Sequence, residues 1–355
     1  MMVEFHRLRV MDIYKTIRDA TVVSLCPEND VNFDFVQGQY LTFRRVFKGT
    51  ELRRSYSICS SKDEILQVGI KLVRGGVFSS WANSELEVGD FIESMAPMGN
   101  FYLKAAEGQA YYLAFAGGSG ITPILSILKT GLAAEPEAHF TLVYVNRNIN
   151  TVMFREELEN LKNIYMERFR VIHILKDDSQ NIDLFKGHID AEKCDRLFEC
   201  WIDVINVSMA FICGPEPMMQ VVSKALEQHG LNRNKLRREF FTNTQLGRLK
   251  NRMKCPPNLE TGTQGQVIIG GETRSLKVTA DSTLLQAALD NNIDAPFACC
   301  SGVCSTCKAM ILEGDVEMIS NHSLEDYEVE AGFILTCQSY PVSDTIVWDY
   351  DKAGH

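Results

Sequence analysis

The spacing of four cysteines constrains this chain more than any other feature. Cys299, Cys304 and Cys307 stand in a C-x4-C-x2-C pattern, and Cys337 follows 30 positions later. This is the plant-type spacing of a [2Fe-2S] cluster, in which four thiolates surround two irons. Gly302 lies inside the loop, where a residue without Cβ lets the backbone wrap closely and aim amide N–H groups at sulfur. Zinc sites more often pair two C-x2-C knuckles, and here Cys304 and Cys307 make only one. A thiol–disulfide motif would stand alone between a strand and a helix, which the two additional cysteines disfavour. Cys300 also admits a C-x3-C reading; Cys299 fits the spacing, leaving Cys300 a bystander thiol.

The chain has 355 residues, enough for two or three domains. The remaining six cysteines, Cys26, Cys59, Cys194, Cys200, Cys213 and Cys255, are scattered and read as buried thiols. The net charge of -10 argues against nucleic acid as a partner. Residues 266–355 hold 14 acidic and four basic side chains. Just upstream, Lys235, Arg237, Arg238, Arg248, Lys250, Arg252 and Lys254 form a basic stretch. It reads as a solvated connector, or as a seat for the acidic region or a steering patch for a partner. No early segment has the layout of a secretory signal and no apolar run is long enough to span a bilayer. The expected location is cytoplasmic, with no membrane contact.

Residues 1–105 contain short apolar runs punctuated by glycine, the pattern of an antiparallel β-barrel. From residue 106 to 235 the pattern becomes α/β with a parallel sheet. Strands are expected at 110–116, 140–145, 169–175 and 210–213, and helices at 122–130, 153–161 and 218–229. Residues 236–264 are polar and aperiodic and read as a linker. In the last region, 265–355, Gly270-Gly271 marks a hairpin turn, and Asp281 or Ser282 is placed to cap a helix running through Leu289.

Several loops carry the chemistry. Arg53-Arg54-Ser55-Tyr56-Ser57 offers a guanidinium for a diphosphate and an aromatic face for a flat ring. Gly75-Gly76-Val77-Phe78-Ser79 offers backbone N–H groups and a hydroxyl to phosphate, or is simply a hairpin turn. Gly117-Gly118-Ser119-Gly120-Ile121-Thr122-Pro123 joins a buried strand to a helix, where backbone donors can hold a pyrophosphate. Cys213-Gly214-Pro215 closes another strand at what reads as the same sheet edge, beyond which ligands bind.

Taken together these strings resemble the ferredoxin-NADP reductase family fused to a plant-type ferredoxin domain, over essentially the whole chain. Arg54 to Ser57 resembles that family's R-x-Y-S flavin motif, and Gly75 to Ser79 its flavin diphosphate loop. Gly117 to Pro123 resembles its nicotinamide loop, and Cys213 to Met218 its C-G-P-x-x-M segment. The resemblance implies an FAD-binding β-barrel, an NADPH-binding α/β domain and a β-grasp [2Fe-2S] domain. It implies that Arg54 holds the FAD diphosphate with Gly75, Gly76, Phe78 and Ser79 nearby. Tyr56 would stack on the isoalloxazine and Ser57 approach its N5. Gly118 would lie near the pyrophosphate and Thr122 near the nicotinamide, with Gly120 also among the cofactor-binding residues. Cys213, with Gly214 and Pro215, would face the hydride-transfer region. Arg147, after the second α/β strand, favours NADPH over NADH. Glu239, Phe240 and Phe241 fall where such chains return to the flavin, without a distinction among them.

Cys299, Cys304, Cys307 and Cys337 match the cluster ligands. The implied acceptor is the non-haem diiron oxygenase complex that epoxidises phenylacetyl-CoA, although the chain shows no acyl-CoA pocket or diiron ligand set of its own. Another oxygenase or the hybrid-cluster protein would use the same cofactors. A non-enzymatic redox sensor would need neither the flavin nor the nicotinamide loop.

Overall fold

The computed structural model describes residues 4–28, 33–104, 108–177, 182–241 and 262–353. The chain divides into two compact units. One comprises Met1–Phe5, Thr42–Ser55 and Thr242–His355; the other comprises His6–Leu41 and Tyr56–Phe241.

Strands β1 (His6–Ile17), β2 (Ala20–Pro27), β3 (Tyr40–Phe47), β4 (Thr50–Ser57), β5 (Leu66–Lys71) and β6 (Phe91–Ser94) form one sheet, with helix α1 (Val77–Ser84) between the last two. The strand order is β4-β3-β6-β1-β2-β5. β1 runs antiparallel to β2 and β6, and β2 antiparallel to β5. On β1, buried Leu8 and Val10 alternate with exposed Arg7, Arg9 and Met11, the period of a half-buried strand. Ile58, just past β4, bridges Val68 of β5 at the other end of the strand order, as a barrel requires.

The second sheet is parallel. Its elements are β7 (Tyr111–Gly117), α2 (Ile121–Ala134), β8 (His139–Asn146), α3 (Arg155–Ile164), β9 (Phe169–Leu175), α4 (Ala191–Cys200), β10 (Met209–Gly214), α5 (Glu216–Gln228) and β11 (Leu236–Phe240). The strand order is β11-β10-β7-β8-β9. Side-chain alternation sends Tyr112, Ala114 and Ala116 of β7 into one core, with Phe140, Tyr144 and Cys213. Leu113 and Phe115 enter the core on the other face, with Val143 and Ile212. The chain builds outward from β7 through β8 and β9, then returns to lay β10 on the opposite side of β7. The order therefore reverses between β7 and β10, where the carboxyl ends of parallel strands leave a crevice.

Three elements differ from the sequence reading. Residues 236–240, expected to open a linker, are strand β11, paired with β10 from Ala210↔Leu236 to Gly214↔Phe240. Its polar sequence acquires strand geometry from that neighbour rather than from its own periodicity. Helix α3 starts at Arg155 rather than Met153, because Phe154 caps it in the left-handed region at φ 56. Helix α4 was not anticipated; it is capped by Asp190, whose side chain accepts from the Lys193 N–H. Arg248, Lys250, Arg252, Lys254 and Cys255 lie outside the described residues.

The third sheet and its attachments comprise β12 (Thr263–Ile269), β13 (Glu272–Val278), α6 (Leu284–Asp290), β14 (Lys308–Glu313), β15 (Val316–Met318), α7 (Asp326–Glu330), β16 (Phe333–Leu335), β17 (Ser339–Pro341) and β18 (Thr345–Asp349). The five-stranded order is β13-β12-β18-β14-β16, with β12 parallel to β18 and the other pairs antiparallel. Trp348 is fully buried, with Leu284, Leu285 and Ala288 of α6 in the same core, the strand-and-helix arrangement of a β-grasp. Gly270 and Gly271 turn the first hairpin at φ 61 and 75, the conformation a tight two-residue turn needs. The cap of α6 is Thr283, which accepts from the Gln286 N–H at 3.1 Å; neither Asp281 nor Ser282 takes that role. Among the described residues, no helix is long and apolar enough to cross a membrane.

Candidate functional site

At the crevice between β7 and β10 the two glycine-bearing strand ends touch. A Cβ on Gly214 would stand 2.9 Å from the Gly117 backbone, and a Cβ on Gly120 would strike the Cys213 carbonyl. Glycine is therefore required for the two loops to approach. Gly118 takes φ 55 and receives a hydrogen bond at its carbonyl from the Tyr144 hydroxyl, 3.0 Å away. Thr122 is buried at the start of α2, its hydroxyl donating to the Ser119 carbonyl at 3.0 Å.

Barrel residues in the same unit meet this edge. Ser57, at the end of β4, is buried and donates to a Glu239 carboxylate oxygen at 3.0 Å. Glu239 is the register partner of Cys213 across β10 and β11. Burial raises the Glu239 carboxyl to about 8, with the Ser57 hydroxyl pulling the other way. Burial also pushes the Cys213 thiol well above its ordinary value, with Glu239 adding to the effect. At neutral pH this is a thiol beside an acid that holds its proton. The Tyr56 and Phe78 rings lie 5.7 Å apart, tilted at 37°. A Cβ on Gly69 of β5 would meet the Thr122 methyl at 2.7 Å, so this barrel strand lies directly against the loop from Gly117 to Pro123.

A basic group completes the edge. The Lys71 ammonium, at the end of β5, lies 3.4 Å from where a Gly118 Cβ would be. Burial lowers its pKa, and the charge of Arg147 acts in the same direction. Arg147 itself is exposed just beyond β8. Beside it Asn146 is only 5% exposed, and neither polar atom of its side chain has a hydrogen-bond partner in the structure. Two cations at the carboxyl ends of the parallel strands, beside the start of α2, fit a nucleotide bearing phosphates.

In the loop from Gly75 to Ser79 the hairpin alternative does not hold. Gly75 takes φ 76 and Gly76 caps α1, so these glycines open a helix rather than turn a hairpin. The buried Ser79 hydroxyl accepts from the Val73 N–H at 3.1 Å and donates to the Gly76 carbonyl at 3.3 Å. It serves its own turn in this arrangement, leaving backbone donors as the loop's offer to a phosphate. Arg54 donates to the Arg53 carbonyl at 2.6 Å.

The other unit holds the cysteine loop. Gly302 takes φ 78, and a Cβ there would lie 2.8 Å from the Ser320 carbonyl oxygen. Its own carbonyl accepts from the His322 N–H at 3.0 Å. The Cys299 N–H points at the Cys304 sulfur and the Ser301 N–H at the Cys299 sulfur, each at 3.4 Å. The Gln338 amide reaches the Cys337 sulfur at 3.5 Å and the Cys300 carbonyl at 3.1 Å. The four thiols gather two and two. A hydrogen bond from Cys304 lowers Cys299 to about 5, and one from Cys307 lowers Cys337. Among the described residues, no group of three or more His, Cys, Asp or Glu side chains could hold a metal ion. Two sulfurs per pair match what each iron of a two-iron cluster takes from protein, so the donor set fits. Cys300 takes φ 51 and stays outside both pairs; burial raises its thiol to about 12.

The structure thus places Tyr56, Ser57, Phe78, Gly118, Gly120, Thr122 and Cys213 in one unit, and the cysteine pairs Cys299/Cys304 and Cys307/Cys337 in the other. Sequence reading missed Lys71 and Asn146 and left Glu239 undistinguished from its neighbours. The available signal was a charge placed at the end of an apolar run, as at Lys71 after Ile70. Of the scattered cysteines, Cys59, Cys194 and Cys213 are buried, but Cys26 and Cys200 are exposed, contrary to the sequence expectation. The hollow of about 370 Å³ lined by Tyr111, His139, Arg168 and Trp201 lies at the opposite, amino-terminal edge of the parallel strands.

Comparison with known proteins gives this chain a class. The chain matches the oxidoreductase FAD-binding domain over residues 9–102, the oxidoreductase NAD-binding domain over 115–224 and the 2Fe-2S iron-sulfur cluster binding domain over 267–342. It belongs to the family of reductases that fuse FAD- and NAD(P)H-binding domains to a [2Fe-2S] ferredoxin domain. It is an electron-transfer oxidoreductase using those three cofactors. Within that class it is 39% identical to a component polypeptide of the 1,2-phenylacetyl-CoA epoxidase of Escherichia coli (strain K12), over 99% of both chains. It is 33% identical to the ferredoxin reductase component of 3-ketosteroid-9-alpha-monooxygenase of Mycobacterium tuberculosis (strain CDC 1551 / Oshkosh), covering 90% of this chain and 86% of that one. Phthalate dioxygenase reductase shares the fold, with a TM-score of 0.60 at 24% identity over 97% of this chain and 98% of that one.

Proposed function

We propose that this chain passes electrons from NADPH, through FAD and its [2Fe-2S] cluster, to the diiron oxygenase complex that epoxidises phenylacetyl-CoA. The observation that carries the acceptor is the 39% identity, over 99% of both chains, to a component of a 1,2-phenylacetyl-CoA epoxidase. The Ser57–Glu239–Cys213 arrangement supports the redox half of the reading.

When bound, the flavin supplies the conversion between a two-electron hydride and the single electrons a cluster accepts. The chain's residues do the rest. Arg54 would neutralise the FAD diphosphate. Tyr56 would stack on the ring system, backed by the buried Phe78. Ser57 presents its hydroxyl at the reacting edge, and Glu239 behind it holds or hands on a proton. Cys213, Gly214 and Pro215 shape the wall across from Ser57, and the un-ionised thiol adds no charge where a hydride must approach. Gly118, Gly120 and Thr122 seat the pyrophosphate and nicotinamide, with Lys71 supplying charge. Arg147 recognises a 2'-phosphate, which favours NADPH. Cys299, Cys304, Cys307 and Cys337 would hold the cluster, whose irons accept electrons one at a time.

Anaerobic rapid mixing tests the route. NADPH should bleach the flavin before the cluster, faster than NADH does. Addition of the oxygenase complex, phenylacetyl-CoA and oxygen should then yield epoxide detectable by mass spectrometry. A chain that reduces its cluster but supports no epoxide formation serves a different acceptor.

A further inference from the structure

Arg53 stands on β4 one residue before Arg54 and is only 6% exposed, rare for an arginine unless it has partners. Its Nε donates to Glu51 on the same strand at 2.8 Å. The rest of the guanidinium turns to the loop between α6 and the first cluster cysteine. It lies over the Phe297 ring at 4.1 Å, with the Phe5 ring at 5.0 Å, and Nη2 is 3.6 Å from an Asp294 carboxylate oxygen. Nη1 is buried with no hydrogen-bond partner. All of these residues belong to one compact unit.

Two effects compete as the source of this contact. The Asp294 side chain is 62% exposed, and an ion pair with so exposed a carboxylate contributes little. The stack on Phe297 is desolvated on the arginine side, where cation–π attraction is strongest. Only a planar guanidinium can lie flat on the ring while its Nε holds Glu51; a lysine ammonium cannot do both. The stack dominates.

We propose that Arg53 is a positioning residue for electron transfer, fastening residues 294–299 of the cluster loop to the flavin-binding strand through Phe297. The inference rests on the flavin-to-cluster route proposed above. That step moves one electron from reduced flavin to a ferric ion of the cluster, and Arg53 makes or breaks no bond in it. Its task is to hold the loop carrying Cys299 against the strand that continues into Arg54 and Tyr56.

The test uses the full holoenzyme with Arg53→Lys, Phe297→Leu, Phe297→Tyr and Asp294→Asn. Backbone hydrogen exchange across residues 294–299 is measured beside the rates of flavin and cluster reduction. Losing a desolvated stack should weaken the docking equilibrium about tenfold. Arg53→Lys and Phe297→Leu should therefore speed exchange by about that factor and slow cluster reduction. Cluster absorbance and flavin bleaching by NADPH should be unchanged. Phe297→Tyr and Asp294→Asn should stay near wild type. If Arg53→Lys fails to fold, Phe297→Leu decides. Wild-type exchange and cluster reduction in Phe297→Leu would overturn the proposal. Absence of flavin bleaching in the wild-type protein would instead overturn the route on which it rests.

Discussion

Replacing Glu239 with Gln should remove one ionisation from the pH profile of hydride transfer. Burial raises this carboxyl from an ordinary 4.5 to about 8. At pH 7 the wild-type acid is therefore protonated by about ten to one, where an exposed glutamate would be almost wholly ionised. The shift corresponds to roughly 5 kcal/mol between the two protonation states, an upper bound because the residue keeps some exposed surface. For a raised acid this stability is fully present below pH 4.5 and is lost as pH rises through about 8. Gln copies the neutral acid, so the variant should gain stability relative to wild type as pH climbs through that window, read from paired melting curves. In anaerobic single-turnover flavin bleaching by NADPH, the wild type should show a step near pH 8 that Glu239→Gln lacks. Ser57→Ala provides a second arm. Its hydroxyl favours the charged carboxylate, so removing it should move the step above 8. A step near 8 that persists in Glu239→Gln, or that moves down in Ser57→Ala, would refute the assignment of the acid.

Arg147→Leu should lower the preference for NADPH over NADH about tenfold or more, the scale of one lost charge-assisted hydrogen bond, read as a ratio of kcat/KM values. Lys71→Ala should raise KM for both nucleotides, since the Gly118 loop it adjoins is common to them. Cys337→Ser should abolish the visible bands of the cluster while flavin bleaching by NADPH continues. Gly120→Ala forces a Cβ into the Cys213 carbonyl; it should cost about 1–3 kcal/mol and lower the Tm.

What the sequence made legible was chemistry confined to one stretch of chain. Cys299, Cys304 and Cys307 declare themselves because one loop carries them, and Gly117 to Thr122 because a strand and a helix meet there. Residues that depend on distant partners stayed illegible. Glu239 sits in Leu236–Phe240, whose arginines suggest a linker until β10 is laid beside it. Lys71 and Asn146 follow apolar strands and look like ordinary strand ends until the sheet edges come together. Ser79 was legible as a residue but not in its partner, because the Val73 N–H that claims its hydroxyl is set by the turn itself. The exposure of Cys26 and Cys200 was hidden for the opposite reason: the apolar preference of cysteine carries no information about which strand or helix face it occupies.

The Ser57–Glu239 hydrogen bond joins positions 182 residues apart, and that distance has a consequence during synthesis. A nascent chain emerges with its flavin motif and glycine loop long before β11 leaves the ribosome. Closing a segment of that length costs roughly 5 kcal/mol in chain entropy, so the acid reaches the serine only once the intervening parallel strands have assembled. A prematurely terminated polypeptide would carry Ser57 and the Gly117 to Pro123 loop yet lack the Glu239 carboxyl. Arrival of Glu239 thus marks the moment at which the Ser57 hydroxyl gains its partner.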